Sequence, residues 1–189
     1  MKRAFSAEDH QTLLSNAILQ FKFAFAVTNL VDDRHFEFPY LGQFTWGHHA
    51  RNHGQLKLSK DQEKLAASIF EHSATYILAL QMDKALQDTV PDRFHSPDCD
   101  VRAAAWIARL IRNTFAHNPL APIWDIPPEA QNKTYEVVTI TKVTTDAVDG
   151  QPVKPLDYGG PLALLTLAEF VLTHTASLGS PEKDGLKAN

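Results

Sequence analysis

Apolar residues recur every three or four positions along four stretches of the chain, which is the spacing of one face of an α-helix. The stretches cover residues 6–30, 60–87, 101 to 115 or 117, and 162–178. The last stretch is apolar almost all round, which is typical of a helix that is central or lies in an interface. The pattern therefore predicts a mainly-α fold, a bundle of four to five helices.

Residue types that begin and end helices stand at the edges of these stretches. Ser6 and Asp9 form an S-x-x-D sequence that resembles a capping box. The candidate caps of the next two helices are Ser59 or Asp61 and Asp98 or Asp100. Because the residue before a proline disfavours helical backbone, Asn118-Pro119 predicts the end of the third helix.

One region of the chain changes from helical spacing to β-branched residues. Residues 134–145 are rich in valine, isoleucine and threonine, a composition typical of strands. Asp149-Gly150 is the strongest signal in the chain for a tight turn between strands. With Val153 in the partner strand, the sequence predicts a β-hairpin inserted into the helical bundle at about 134–156.

The stretch 32–58 contains five aromatic residues without a sustained period, and we interpret it as an ordered loop with a short helix. His48, His49 and His53 lie close together in it, and His49 and His53 could ligate one metal if this part were helical. No acidic or cysteine ligand accompanies them, and the flanking glycines favour a turn. We therefore expect no metal site here, and the sequence indicates no cofactor.

Length and composition set the domain organisation. With 189 residues, 44% of them hydrophobic and 21% charged, the chain has the size and composition of one globular domain. We expect a single domain over 1–179 and a polar, disordered tail over 180–189. Cys99 is the one cysteine, which excludes an intramolecular disulfide and any zinc site built from cysteines.

Charge and hydropathy restrict the partners. The formal net charge of −4 argues against a protein that coats nucleic acid by bulk charge, so nucleic-acid binding would need a local basic surface. No apolar segment of a signal peptide follows the basic first residues. The most apolar early run, 17–31, is interrupted by polar residues and is shorter than the roughly 20 residues that span a bilayer. The sequence predicts a soluble, cytoplasmic protein with no membrane partner.

The third predicted helix has an apolar arc and an unusual polar arc. At about 100° per residue, the polar arc carries Arg102, Trp106, Arg109, Arg112, Asn113 and His117. Lysine and glutamate, which commonly solvate helix surfaces, are absent from residues 101–117. A solvated polar face is the ordinary alternative, but a tryptophan beside water without a partner is unfavourable. This arc is therefore the candidate functional surface.

The end of this helix has a recognisable sequence, Arg-Asn-Thr-Phe-Ala-His over residues 112–117. It resembles the motif of the HEPN family, in which a polar residue directly follows an arginine and a histidine comes a few residues later. As in that family, the motif ends a bundle helix, and a proline-rich turn with Trp124 follows it. The resemblance covers the helices and implies a HEPN-like helical bundle, in which the hairpin is a variable insertion.

The resemblance implies a metal-independent endoribonuclease whose site is shared by the two chains of a homodimer. His117 would exchange a proton with the ribose 2′-hydroxyl or the leaving 5′-oxygen, and Arg112 would hold the phosphate. Asn113 would orient the substrate or the imidazole, and the product would be a 2′,3′-cyclic phosphate. On an ideal helix Arg112 and His117 lie about 140° apart, which favours a site composed from two chains.

The other residues of the polar arc have two interpretations each. Arg102 and Arg109 extend a phosphate track, or they pair with acidic residues such as Asp98 or Glu71. Trp106 stacks a nucleic-acid base, or it packs in the core or an interface. In the functional interpretation all three are substrate-binding residues.

Competing functions follow from the same residues. Arg112 and His117 have a structural alternative, because basic residues in the last turn stabilise a helix C-terminus. A HEPN-like dimer without catalysis would bind nucleic acid or a protein partner, and a helical adaptor of unrelated ancestry is a third possibility. The expected partners are RNA, a second copy docked through helices three and four, and an antitoxin or regulatory protein if the protein serves a toxin or defence system.

Overall fold

The computed structural model of the protein describes residues 6–33, 37, 43–52 and 57–179. These residues form four α-helices: α1 (Ala7–Asp32), α2 (Lys60–Thr89), α3 (Cys99–His117) and α4 (Gly160–Gly179). Two antiparallel hairpins accompany them: β1 (Gln43–Trp46) with β2 (His49–Asn52), and β3 (Thr134–Val137) with β4 (Thr141–Thr144). The expected mainly-α fold with a β-hairpin is confirmed.

Side-chain caps fix the starts of the first three helices. The Ser6 hydroxyl accepts from the Asp9 backbone N–H at 3.2 Å, and the Asp9 carboxylate accepts from the Ser6 N–H at 2.8 Å. Ser59 and Gln62 form the same reciprocal pair at the start of α2. The Asp98 carboxylate accepts from two backbone N–H groups of the first turn of α3, at 2.9 and 3.1 Å. Such caps satisfy donors that have no partner within the helix.

The core lies where α2 packs against α1, α3 and α4. The predicted apolar arc of α3 is buried there, through Ala104, Ile107, Ala108, Leu110, Ile111 and Phe115. Strand β3 also packs against α3. The apolar helix α4 buries Leu164 and Leu167 but leaves Leu162 and Leu178 exposed, so it is both a core element and a source of apolar surface.

The β-hairpin lies earlier in the chain than predicted. Both of its strands come from the β-branched segment, and Val137 pairs with Thr141 at its closed end. The turn covers residues 138–140, where Thr139 has a φ of +63°. A β-branched residue rarely adopts this left-handed backbone, so the residue types at 138–140 do not predict a turn.

Asp149-Gly150 forms a turn, but it does not join the two strands of a hairpin. Gly150 has a φ of +72°, and its N–H donates to the Trp124 carbonyl at 2.9 Å. The Val153 N–H donates to the Pro122 carbonyl at 3.0 Å. The prediction that Val153 lies in the partner strand is therefore wrong, since this segment pairs with the proline-rich connector after α3.

The described part of the stretch 32–58 forms strands and not a short helix. Strands β1 and β2 pair across a turn in which Gly47 has a φ of +57°. His49 belongs to β2, so the helical spacing that would bring it together with His53 is not formed. His53 itself lies outside the described residues.

Among the residues that the structure describes, two segments are by length and composition alone apolar enough to cross a membrane. They are Glu8–Asp32 in α1 and Pro155–Leu178, which includes most of α4. Their most apolar windows are 33% and 28% buried inside the protein, and the same length and composition occur in the mostly buried core helices of soluble proteins and in N-terminal signal sequences. The predicted tail over 180–189 lies outside the described residues.

Candidate functional site

Two arginines share one fully buried carboxylate beside the C-terminal half of α3. Asp83 lies in α2 with 0% of its surface exposed. Arg112 of α3 pairs with its Oδ2 atom, and Arg93, in the short 3₁₀ helix Arg93–His95, donates from Nη2 to its Oδ1 atom at 3.0 Å. Two cations on one carboxylate leave an excess of one positive charge at this position.

Arg112 retains donors that a phosphate could use. Its Nε and Nη2 atoms donate to the Asn113 carbonyl Oδ1 at 3.2 and 2.7 Å, and its Nη1 atom bonds to Asp83. These bonds use three of the five N–H groups of a guanidinium. Because Arg112 is 30% exposed, the remaining two N–H groups fit a phosphate held against this end of α3.

His117 has an acidic partner of its own. Its Nε2 atom lies 3.1 Å from Oδ2 of Asp125, in the connector after α3, and the two side chains are 74% and 55% exposed. A carboxylate that accepts Nε2–H fixes the tautomer and leaves Nδ1 free to accept a proton. The imidazole is therefore both accessible and oriented.

The end of α3 is fastened to α2. The His72 Nδ1 atom lies 2.7 Å from the Pro119 carbonyl oxygen, and since a carbonyl only accepts, Nδ1 carries the proton. The His72 ring also lies edge-on to Phe115, with 5.7 Å between the ring centroids. The Asn118 side chain accepts from two backbone N–H groups of the following turn, at 3.1 and 3.2 Å. These bonds hold His117 and the connector in place.

Within one chain the structure does not join Arg112 to His117. Arg112 is turned toward Asp83 in α2, whereas His117 is turned toward Asp125 beyond the helix end. Among the described contacts, none links the guanidinium to the imidazole. This separation agrees with their expected placement about 140° apart on the helix.

The other three predicted site residues do come together. Arg102, Trp106 and Arg109 line one cavity of about 440 Å³ on α3, toward its N-terminal half. Arg109 pairs with Glu129 at 3.2 Å, and Arg102 donates to the Ser96 carbonyl at 2.6 Å. Neither Asp98 nor Glu71, the acidic partners expected from the sequence, holds them in the contacts described.

Trp106 is packed on aromatic neighbours. Its exposed fraction is 9%, and its ring lies 4.5 Å from that of Phe94 and 5.4 Å from that of Tyr135, with which it is stacked. The Arg109 guanidinium lies 5.4 Å from the same ring. Trp106 thus forms part of a cavity wall and is not a free platform on the surface. Trp124, in the connector after α3, is 2% exposed and donates to Asp157 at 3.0 Å, so it anchors the connector.

Sequence reasoning missed the acidic partners of the motif. Asp83 carried a usable signal, because it occupies a position of the buried stripe of α2, between Ala79, Met82 and Leu86. A lone acid on an apolar stripe requires a cationic partner. Arg93, His72 and Asp125 carried no such signal, since their contacts arise from chain segments that only the fold brings together.

Among the residues that the structure describes, no group of three or more histidine, cysteine, aspartate or glutamate side chains could hold a metal ion. His48 and His49 are exposed near the β1–β2 turn. Comparison with known proteins found no matching family model, no similar curated protein and no similar solved structure.

Proposed function

We propose that the protein binds RNA and cleaves it without a metal, at a site that two copies of the chain build together. The observation that carries the proposal is that Arg112 and His117, at the end of α3, are each held by a carboxylate. Asp83 orients a guanidinium with free donors and an excess positive charge, and Asp125 orients an exposed imidazole. These are a phosphate-binding group and a proton-transfer group.

In the proposed reaction the ribose 2′-oxygen attacks the adjacent phosphorus and the bond to the 5′-oxygen breaks. His117 takes the proton of the 2′-hydroxyl group and passes a proton to the leaving 5′-oxygen, so that no proton is gained or lost overall. Arg112 stabilises the negative charge that grows on the non-bridging oxygens. The products are a 2′,3′-cyclic phosphate and a 5′-hydroxyl, and the chemistry needs no bound ion.

The dimer is part of the proposal because one chain keeps Arg112 and His117 apart. Of the two helices expected in the interface, α4 leaves large apolar side chains exposed, with Leu162 at 74% and Leu178 at 53%. The large apolar residues of α3 are buried within the chain. We therefore expect α4 to supply the apolar contact and α3 to supply the site. The proposal places the protein in the cytoplasm, with RNA.

Mixing two inactive variants tests the shared site. Arg112→Ala and His117→Ala homodimers should each lose cleavage by about 10²- to 10⁴-fold. When the two are unfolded together and refolded, each heterodimer regains one site with an intact Arg112 and an intact His117, so cleavage should return. Failure of the mixture to cleave, with dimers present, would show that the site is not shared.

Three further measurements complete the experiment. His48→Ala should leave cleavage unchanged, because His48 lies near the β1–β2 turn and outside the motif. Excess chelator should also leave the rate unchanged, whereas loss of cleavage restored by zinc or magnesium would refute the metal-independent mechanism. Light scattering should give about twice the chain mass of 21.1 kDa.

A second candidate is a dimer that binds RNA without cleaving it. It is favoured by the separate carboxylate partners of Arg112 and His117, which hold the two groups apart within one chain. In that case the wild type binds RNA, no 2′,3′-cyclic phosphate forms, and His117→Ala binds as the wild type does. Arg112→Ala would still lower the salt dependence of binding by about one phosphate contact.

A further inference from the structure

The cavity on α3 has walls of two kinds. Phe94, Trp106 and Tyr135 form an aromatic wall, and Arg102, Arg109 and Lys133 bring three cations to the same space. Its volume of about 440 Å³ lies within the range of about 300–1,000 Å³ that is common for small-molecule sites. The lining comes from α3, the 3₁₀ helix Arg93–His95 and β3, together with the segment before β3.

The aromatic wall is fixed by the fold. Trp106 lies 4.5 Å from Phe94 and is stacked on Tyr135 at 5.4 Å, with an angle of 27° between the ring planes. Trp106 and Tyr135 are 9% and 8% exposed. A planar ring that enters the cavity would meet rigid apolar surface, and packing on such surface costs little conformational freedom.

The charges in the cavity do not cancel. Among the described residues of the lining, Glu129 is the one acidic side chain, and its carboxylate pairs with Arg109 at 3.2 Å. Lys133 donates from Nζ to the backbone carbonyl of Glu129 at 2.6 Å, and Arg102 donates to the Ser96 carbonyl. Neutral carbonyls leave both of these charges uncompensated, so the lining carries an excess of two positive charges.

Tyr135 adds a buried hydroxyl group to the lining of the cavity. The oxygen is buried and forms no hydrogen bond with any residue that the structure describes. Burial raises the pKa of Tyr135 above its ordinary value, and the Glu129 carboxylate raises it further. The hydroxyl is therefore protonated at neutral pH and can donate. A buried polar group without a partner is rare in native proteins and requires an explanation.

We propose that this cavity binds an aromatic ring that carries a phosphate, a ligand of the size and chemistry of one nucleotide. The ring would lie against the wall of Phe94, Trp106 and Tyr135, and the phosphate would lie among Arg102, Arg109 and Lys133. The ligand is either a free nucleoside monophosphate or a terminal nucleotide of an RNA strand. The proposal does not depend on cleavage, because the cavity residues of α3 lie about 12 to 22 Å along the axis from His117.

Calorimetric titration with adenosine 5′-monophosphate tests the proposal directly. Adenosine and inorganic phosphate, titrated separately, should each bind at least tenfold more weakly, because each meets only one of the two walls. An oligoribonucleotide with a 5′-phosphate is the arm that separates the two sources of ligand. If the oligoribonucleotide binds more tightly than the free monophosphate, and the monophosphate displaces it, the site holds an RNA end. If the oligoribonucleotide binds no more tightly than the monophosphate, the free nucleotide is the ligand.

Variants locate the binding. Lys133→Gln and Arg109→Gln should each weaken binding of the monophosphate by about tenfold, whereas Lys142→Gln should have no effect. Lys142 is the matched control, because it is an exposed lysine on the neighbouring strand β4 and pairs with Glu136 outside the cavity. Tyr135→Phe should weaken binding several-fold, because it removes the proposed donor to the ligand. It should not lower stability, since that buried hydroxyl has no partner among the described residues.

The outcomes separate this proposal from the nuclease proposal. His117→Ala should bind the monophosphate as the wild type does, even though cleavage is lost. If RNA is cleaved but the monophosphate does not bind at millimolar concentration, the cavity proposal fails alone. It also fails if binding occurs but Lys133→Gln, Arg109→Gln and Tyr135→Phe all leave it unchanged.

Discussion

Arg109 and Arg112 lie one turn apart on α3, and each pairs with a carboxylate, yet the two surroundings differ. The arginines have similar exposed fractions, 27% and 30%. Their partners do not: Glu129 is 52% exposed, whereas Asp83 is completely buried and also pairs with Arg93. The contrast between these two pairs therefore arises from the carboxylates and not from the arginines.

Burial of the carboxylate decides what each arginine can do. An exposed pair is worth little, so Arg109 can exchange Glu129 for a ligand phosphate at small cost. A buried pair cannot open without leaving a charge unpaired in the interior. Arg112 must therefore bind any phosphate with N–H groups that do not bond to Asp83. One pair is suited to ligand exchange, and the other to holding a cation in a fixed position.

The largest effect on stability should appear when Asp83 and Glu129 are neutralised in two separate variants. Asp83→Asn leaves Arg93 and Arg112 without their carboxylate and should lower the free energy of unfolding by about 3–5 kcal/mol. Glu129→Gln should lower it by no more than about 1 kcal/mol, since water already solvates that pair. Urea unfolding of the two variants measures both values. Equal losses would show that burial of the carboxylate is not what distinguishes the pairs.

The sequence predicted the arc of α3 because periodicity reports which side of a helix is buried. It placed Arg102, Trp106 and Arg109 on one side, and these three residues line one cavity in the structure. It did not predict Glu129 or Tyr135 as their neighbours, since those residues come from a different segment. Contacts between distant segments leave no periodic pattern in the chain.

The hairpin shows how a local signal misleads. Asp149-Gly150 is the strongest turn sequence in the chain, and it does form a turn, but the segment after it pairs with the connector at Ile123. The true hairpin turn contains Thr139 at a φ of +63°, a conformation that threonine disfavours. Packing of β3 on α3 overrides that local preference.

The buried Tyr158, which lies outside the cavity, should make the stability of the fold depend on pH in the alkaline range. Burial, with Glu71 and Asp157 nearby, raises the pKa of Tyr158 to about 12. Between pH 10 and pH 12 the unfolded chain has lost this proton and the folded chain keeps it, so stability decreases as pH rises. The loss should reach about 2–3 kcal/mol.

Urea unfolding at pH 9 and at pH 11.5 measures this loss, with Tyr158→Phe as the variant that removes it. Tyr135→Phe is the matched control from the cavity wall, and it should leave most of the pH dependence in place. If Tyr158→Phe and the wild type lose stability in parallel, the Tyr158 hydroxyl does not titrate in this range.

Substitution of two exposed histidines should change the stability by a smaller amount. His117 pairs with Asp125 at 3.1 Å, and His95 pairs with Asp92 at 2.8 Å; the two imidazoles are 74% and 80% exposed. His117→Ala and His95→Ala should each change the free energy of unfolding by less than about 1 kcal/mol. A much larger loss for His117→Ala would identify this histidine as a structural cap of α3 and would contradict the proposed role in proton transfer.

The smallest effect, and the most specific, concerns the charge of Glu129 in the cavity. Glu129→Gln removes a carboxylate from the lining and should lower the pKa of Tyr135 toward its ordinary value, because that carboxylate raises it. It should also tighten binding of adenosine 5′-monophosphate by up to about fivefold, the effect of about 1 kcal/mol. Calorimetry at low salt and alkaline absorbance titration, with Tyr135→Phe as the reference, measure the two changes. If neither quantity moves, Glu129 does not act on the cavity, and the ease with which Arg109 changes partner must have another cause.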